Sequence, residues 1–444
     1  VTPTAPPRAN ADRRKNAYLA ILQSDPTHLL ALNNLGSLLY ETGYRTAART
    51  AYAQAVKHHP NDPTSRVNLA NALRDAGDPA QARIHYEAAL ALEPSHQAAH
   101  HGLGNVYDDE GDLAAAAQHW RIAFENRPIV TLPYRGQSAP IPVLLLATPA
   151  RGNVQMLQFL DADVFQTHIV YAEYTNCATP LPAHSLVINA IGDADLAAPS
   201  LAAAQALLAR TQAPVINPPA AVLATGREGS VQLLGGIPGL IAPRAVTLPR
   251  PLIDPPTLAR HGFAFPLLLR TPGFHTGLHF ERVETPADLP NTLAKLPGES
   301  LTVIEYLDAR GPDGKARKFR VMMIGGQLYP LHLAISNHWK IHYFTADMAG
   351  NPSHRDEDRA FLDDMAAVLG PRAMAALAQV QQRLALDYAG IDFGLSPSGD
   401  VLLFEANATM VVLAPGADEK WAYRLPAVDR IHAAVHRLLL SRIT

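Results

Sequence analysis

Apolar and small residues recur through the first third of the chain at a spacing of 34 residues. Leu35, Leu69 and Leu103 keep this spacing, as do Ala48, Ala82 and Ala116, then Ala55, Ala89 and Ala123. An aromatic joins the set at Tyr52, Tyr86 and Trp120, and Gly43, Gly77 and Gly111 punctuate it. Pro26, Pro60, Pro94 and Pro128 close the intervals. Each interval predicts two helices, the Gly ending the first and the Pro marking the corner before the next unit. Small Ala residues let the helices approach closely and the aromatic fills the gap between them. A further helix is predicted near residues 11–24, where it would cap the front of the array.

The pattern changes after residue 128. Residues 129–140 are irregular and contain Pro, which predicts a linker. Apolar runs at 141–147, 167–171 and 186–190 predict buried strands, and 152–160 and 200–210 predict helices between them. Alternation of this kind argues for a parallel sheet, closed by Pro214-Val215-Ile216-Asn217. Farther on, a helix ends near Gly235-Gly236, and strands are predicted at 245–248, 265–270, 278–283 and 301–308. A strand–turn–strand follows at 318–324 and 327–332. Helices are predicted at 357–368 and 372–387, bridged by Gly370-Pro371, and a last helix at 425–443. Between them, 388–395 and 401–404 predict a hairpin around Ser396-Pro397-Ser398-Gly399, which has turn chemistry.

Composition narrows the possibilities. A length of 444 residues suggests two to four domains, and 48% hydrophobic content suffices for sizeable cores. A formal charge of −3 leaves no broad basic field, so neither nucleic acid nor an anionic membrane is expected as a partner. No apolar run approaches a membrane span, and the first 16 residues lack a signal-peptide core. The chain does not begin with Met, so its true N-terminus is an open point. Cys177 is the single cysteine, which rules out an intramolecular disulfide and suits a reducing cytoplasm.

The hairpin carries the sharpest chemistry. It brings Asp392 near Glu405 and Asn407, and the last two share one strand face. Two carboxylates and an amide oxygen form a hard anionic site of the kind that holds Mg²⁺ when the ion also bridges phosphates. Lys318 and Arg320 likewise share a strand face. In the repeat array, Asn33, Asn34, Tyr40, Arg66, Asn68, Asn71, Arg74, His100, His101, Asn105 and Asp108 come from first helices and are expected to line a concave face. An Asn-rich groove suits the backbone of an extended peptide. His58, His59, His96, His100 and His101 fall on different helices and turns and read as surface histidines. His332, His338 and His342 are spread over strand and loop and do not read as a metal site.

The 34-residue pattern resembles the tetratricopeptide repeat, over residues 10–128. The strand Asp392 followed by Glu405-x-Asn407 resembles the metal-binding end of the ATP-grasp superfamily. The ligases similar to glutathione synthetase and to the enzyme that adds glutamate to a ribosomal protein are nearest in feel. The expected fold is therefore multidomain: an all-α repeat superhelix, an α/β domain of the pre-ATP-grasp kind at 141–218, and an α+β ATP-grasp fold at 219–444. The resemblance implies ATP and Mg²⁺, the ion on Asp392, Glu405 and Asn407. It puts Arg227 and Arg270 near nucleotide phosphate, at positions where the family usually has Lys. Residues 271–277 look like the lid over the phosphates, with His275, Thr276 and Gly277 against the nucleotide. Glu305 would accept from the adenine amino group and Asp308 would hold ribose hydroxyls. Lys318 and Arg320, where the family has Asp-x-Arg, would face the γ-phosphate or the acceptor carboxylate. The family's further Arg on the returning strand is missing, and His332, Asn337, Lys340 and His342 are the available substitutes. The implied activity is an ATP-dependent carboxylate–amine ligase working through an acyl phosphate, with Arg270, Lys318 and Arg320 as catalytic cations. A peptide or protein substrate would bind the concave repeat face, and a homodimer is possible. The alternatives are a phosphotransferase on the same site, or a repeat adaptor whose nucleotide-binding half is inactive.

Overall fold

A computed structural model of the chain describes residues 7–273, 277–341, 346–415 and 418–443, without the side chains of 7–11, 227 and 228. The chain forms two units: residues 1–150 with 160–183, and residues 151–159 with 184–444. Among the described residues, no helix is long and apolar enough to cross a membrane.

The first unit opens with helices α1 (Pro7–Ser24), α2 (Leu29–Glu41), α3 (Arg45–His58), α4 (Pro63–Asp75), α5 (Pro79–Leu92), α6 (Gln97–Glu110) and α7 (Leu113–Phe124). The expected corner after each first helix is made by Gly43, Gly77 and Gly111, with φ of 87°, 84° and 84°. Only Gly adopts that left-handed backbone without a Cβ penalty. The periodic Leu, Ala and aromatic residues are all buried.

A polar repeat runs beneath the apolar one. Tyr86 donates its hydroxyl to Asn71 Oδ1 at 2.5 Å, and Trp120 donates its indole N–H to Asn105 Oδ1 at 3.2 Å. One unit earlier, Tyr52 and Ser37 share a hydrogen bond at 3.1 Å. Each pair is 15 residues apart. The helix-pair aromatics are buried, and a buried donor needs an acceptor. Arg66 and His100 likewise bond back to the corner carbonyls of Pro60 and Pro94, at 2.8 and 2.9 Å. Asn33 donates to Ser65 and accepts from Asn68, and Tyr40 bonds Asp75. Most polar residues expected to line a peptide groove are thus engaged within the array, each for a local reason. His100 and His101 are not surface histidines either. His100 Nδ1 meets His119 Nδ1 at 2.9 Å, and His101 Nε2–H donates to the Pro149 carbonyl at 3.1 Å.

The start of the expected linker is ordered. Strand β1 (Ile129–Thr131) pairs antiparallel with β3 (Phe165–Tyr171), and β2 (Ile141–Ala147) pairs with β3 in parallel. The array and these strands share a core. Phe124 stacks on Tyr171 with centroids 3.8 Å apart, and His101 meets both rings edge-on at 5.0 and 5.5 Å. The Tyr171 N–H donates to Pro128 O at 2.9 Å. Burial pushes His101 down to about 4.

The second unit starts with a short 3₁₀ turn, Met156–Phe159, where a helix is expected. The preceding residues are used at a strand end: Val154 N–H donates to Ala190 O at 2.7 Å, and Asn153 bridges Ile191. Strand β4 (Leu186–Asn189), helix α8 (Ala198–Leu208) and strand β5 (Val215–Ile216) follow, β4 and β5 being parallel. After β5, Asn217 adopts φ 54° and clamps Tyr388, donating to its carbonyl at 2.7 Å and accepting its N–H at 2.9 Å. Then come α9 (Pro219–Leu223), α10 (Arg227–Leu234), β6 (Leu240–Ile241), β7 (Ala245–Pro249), α11 (Pro255–Arg260), β8 (Leu267–Arg270), β9 (Phe280–Val283), α12 (Leu289–Lys295) and β10 (Ser300–Glu305). Next are β11 (Ala316–Ile324), β12 (Gln327–Ser336), α13 (Pro352–Asp363), α14 (Met365–Leu384), β13 (Tyr388–Leu395), β14 (Val401–Asn407) and α15 (Leu425–Ser441).

One sheet runs β7-β10-β8-β9, the other β12-β11-β13-β14-β6. An additional break, not expected from the sequence, separates α13 from α14 at Asp364. Its carboxylate accepts the Ala367 N–H at 3.0 Å and starts a new helix. Gly370, with φ 76° and followed by Pro371, breaks the run a second time, at the expected bridge between two helices.

Candidate active site

A cleft is lined from both sheets: Ala245 of β7, Ile304 of β10, and Leu403 to Asn407 of β14. Asp193, Asp195, Thr225 and Ser230 complete the wall. The pairing of β13 with β14 shifts register between Asp392↔Glu405 and Phe393↔Leu403, a bulge at Phe404. Phe404 is partly exposed and is among the residues that line the cleft.

Register places the cations. Leu267, Leu269, Val283, Leu301 and Val303 face the apolar core of the first sheet, so their alternates face the other way. Ile304, on that opposite face, pairs with Leu268, which pairs with Arg282. One row along, Thr302 pairs with Arg270, which pairs with Phe280. Arg270 and Arg282 therefore share the sheet face that contributes Ile304 to the cleft. Arg270 lies over the Phe280 ring at 5.6 Å. Arg282 was not anticipated; it lies 4.0 Å over Tyr306 and pairs with Glu284 at 2.9 Å. Its signal was parity: it stands two residues from Phe280, which pairs with Arg270.

The second sheet holds a charged row. Arg320 pairs with Asp392, and Asp392 with Glu405. Arg320 binds Asp392 through both carboxylate oxygens, Nε to Oδ1 at 2.6 Å and an Nη to Oδ2 at 2.8 Å. Lys318 Nζ adds a bond to Oδ2 at 3.1 Å. Burial alone would raise the Asp392 carboxyl; the Arg320 and Lys318 charges outweigh it and hold it well below the usual carboxylate range. Across the row, burial and the Arg320 charge keep His332 far below its ordinary value, hence neutral. Asn407 donates to Glu405 Oε1 at 3.0 Å and accepts from Thr409 N–H and Oγ–H at 2.9 and 2.7 Å. Glu405 and Asn407 both line the cleft; a carboxylate and an amide oxygen are donors of the kind magnesium takes, and the Asn407 Oδ1 is shared with Thr409. Asp392 differs, since both its oxygens are already taken by cations.

The expected adenine and ribose residues have partners of their own. Glu305 Oε2 accepts the Arg244 backbone N–H at 3.0 Å. Asp308 is gripped by the Arg310 guanidinium, with contacts from 2.5 to 3.0 Å. Gly277 makes a turn at φ 76°, and nearby Lys340 donates to Phe280 O at 2.8 Å. The Arg227 side chain and residues His275, Thr276 and His342 lie outside the described residues.

Tetratricopeptide-repeat models match residues 28–57 and 67–128. The chain thus has tetratricopeptide repeats at its N-terminal end, followed by a mixed α/β region. No curated protein matches the chain. Among solved structures, VanG D-Ala:D-Ser ligase from Enterococcus faecalis is 10% identical over 69% of this chain and 100% of its own, with a TM-score of 0.44. MamA MSR-1 C2 is 20% identical over 26% of this chain and 66% of its own, with a TM-score of 0.23. A MamA protein structure is 22% identical over 27% of this chain and 66% of its own, with a TM-score of 0.25. The chain spans just under two thirds of these MamA structures.

Proposed function

We propose that this chain is an ATP-dependent carboxylate–amine ligase acting on a peptide or protein brought by its repeats. The observation that carries the reading is the meeting, in one cleft, of an apolar wall and the Glu405–Asn407 pair. The apolar wall, with Ile304, Leu403 and Phe404, suits a planar base. The cations Arg270, Lys318 and Arg320, with Arg282 added, would offset charge spread over the transferring phosphoryl group. Glu405 and Asn407 would hold magnesium, which when bound screens phosphate charge. A substrate carboxylate attacks the γ-phosphorus, ADP leaves, and an amine then displaces phosphate from the acyl phosphate to form an amide. Glu305 and Asp308 read adenine and ribose in this scheme, and Arg227, His275, Thr276 and Gly277 lie by the phosphates. Residues 10–128 recruit substrate, and 141–218 with 219–444 form the catalytic part, in a cytoplasmic setting and with dimerisation open to test.

The test is an assay of ADP and phosphate release with ATP, Mg²⁺ and pools of peptides and amino acids. The ligase reading expects ADP, phosphate and a new amide in equal amounts. A phosphorylated product without amide would make the chain a phosphotransferase. Nucleotide binding without turnover would make it an adaptor, a reading favoured by the engagement of Asp392 with Lys318 and Arg320.

A further inference from the structure

Asp392 is the expected third metal ligand, yet its surroundings are those of a carboxylate already neutralised. Both of its oxygens accept charged hydrogen bonds, from Arg320 at 2.6 and 2.8 Å and from Lys318 at 3.1 Å. Its side chain is 5% exposed and that of Lys318 is 14% exposed, so neither pair is a loose surface contact. Glu405 pairs with Asp392 across β13 and β14, so the local charges are two positive and two negative. A divalent ion on Asp392 would add two positive charges to a balanced, nearly buried cluster. Displacing Lys318 instead would leave an ammonium stranded on a strand whose next charge on the same face is Arg320.

We propose that the Lys318 ammonium stands in the place of a metal ion on Asp392, so that the cleft takes one divalent ion, at Glu405 and Asn407, beside a built-in monovalent cation. Asp392 is then a positioning residue. It holds Lys318 and Arg320 side by side and does not ligate metal.

The inference rests on the metal role read for Glu405 and Asn407, and the experiment separates the two. Mn²⁺ serves as the probe, its binding followed by electron paramagnetic resonance on the full chain, with and without ADP. Asp392→Asn should leave the Mn²⁺ stoichiometry unchanged and weaken affinity by no more than about tenfold, the effect of losing one nearby negative charge. Lys318→Met should tighten Mn²⁺ binding by about tenfold or more, because a like charge a few ångströms from the ion has been removed. The double variant Lys318→Met/Asp392→Asn should lose that gain. Lys318→Arg keeps the charge and should show none of it. The proposal is overturned if Asp392→Asn alone abolishes Mn²⁺ binding or weakens it by about 10²-fold or more, if the wild type takes two Mn²⁺ with ADP, or if Lys318→Met gains nothing. Glu405→Ala binding Mn²⁺ as well as the wild type would instead sink the metal reading of the cleft. Hydrogen exchange of β11 and β13 amides checks that each variant retains its sheet.

Discussion

Replacing Arg320 with Met tests the charged row at its most connected point. Asp392, 5% exposed at its side chain, would lose the bonds at 2.6 and 2.8 Å and keep only Lys318 at 3.1 Å. Removing one partner of a buried ion pair costs about 3–5 kcal/mol, because the other charge stays buried. Lys318 remains, which puts the expected loss near the lower end, about 3 kcal/mol. The chain has two units, so a single melting temperature would mix their transitions. Hydrogen exchange reads the site directly. Amides of β11 and β13 should exchange about 10²-fold faster in Arg320→Met, since 1.4 kcal/mol is a factor of ten. Turnover should fall by about 10²-fold or more as well, from lost stabilisation of the transferring phosphoryl group. Adding Asp392→Asn removes the stranded charge and should recover part of the exchange protection without recovering turnover. Exchange within about threefold of the wild type, or a double variant less protected than Arg320→Met, would refute the reasoning.

The remaining predictions concern both units. Glu405→Ala should abolish turnover while circular dichroism stays unchanged; normal activity would remove Glu405 from the site. His101 has an ordinary value of 6.5 when unfolded and about 4 in the fold, so between those pH values only the unfolded chain takes up the proton. The contribution is fully present above pH 6.5 and is lost on acidification, by roughly 3 kcal/mol at about 1.4 kcal/mol per pKa unit. Denaturant unfolding of the first unit across that range should show it, and His101→Phe should flatten the dependence. Deleting residues 1–128 removes Phe124 and the Pro128 carbonyl from Tyr171, so the remainder should aggregate on size-exclusion chromatography. A soluble monomer with native circular dichroism would show that the shared core matters little. Recruitment by the repeats is better probed with Asn34→Ala and Arg74→Ala, which should raise KM for a peptide more than they lower kcat.

The repeat helices and the β13–β14 hairpin were legible in the sequence because each rests on a local rule. A 34-residue period places Gly at a left-handed corner, and a two-residue period places Glu405 beside Asn407 on a strand. What stayed hidden depends on pairing between distant strands. The bonds of Arg320 and Lys318 to Asp392 come from the register of β11 on β13, which no local pattern shows. Arg282 gains meaning only through its row with Leu268 and Ile304. The Asn residues of the array looked like a peptide groove because Asn is polar. Their own period, shared with Tyr86 and Trp120, was the sign that Asn71 and Asn105 serve buried donors. Strand β1 was missed for a similar reason: it is three residues long and is a strand only because β3 lies beside it.

The central claim is that a carboxylate is activated as an acyl phosphate in the cleft. Hydroxylamine intercepts such an intermediate before any particular amine is known. Incubation with ATP, Mg²⁺, hydroxylamine and pooled carboxylate-bearing peptides should yield a peptide hydroxamate, detected by mass, in step with ADP. The yield should vanish in Glu405→Ala. ADP formed with no hydroxamate, or a stable phosphorylated peptide in its place, would contradict the account.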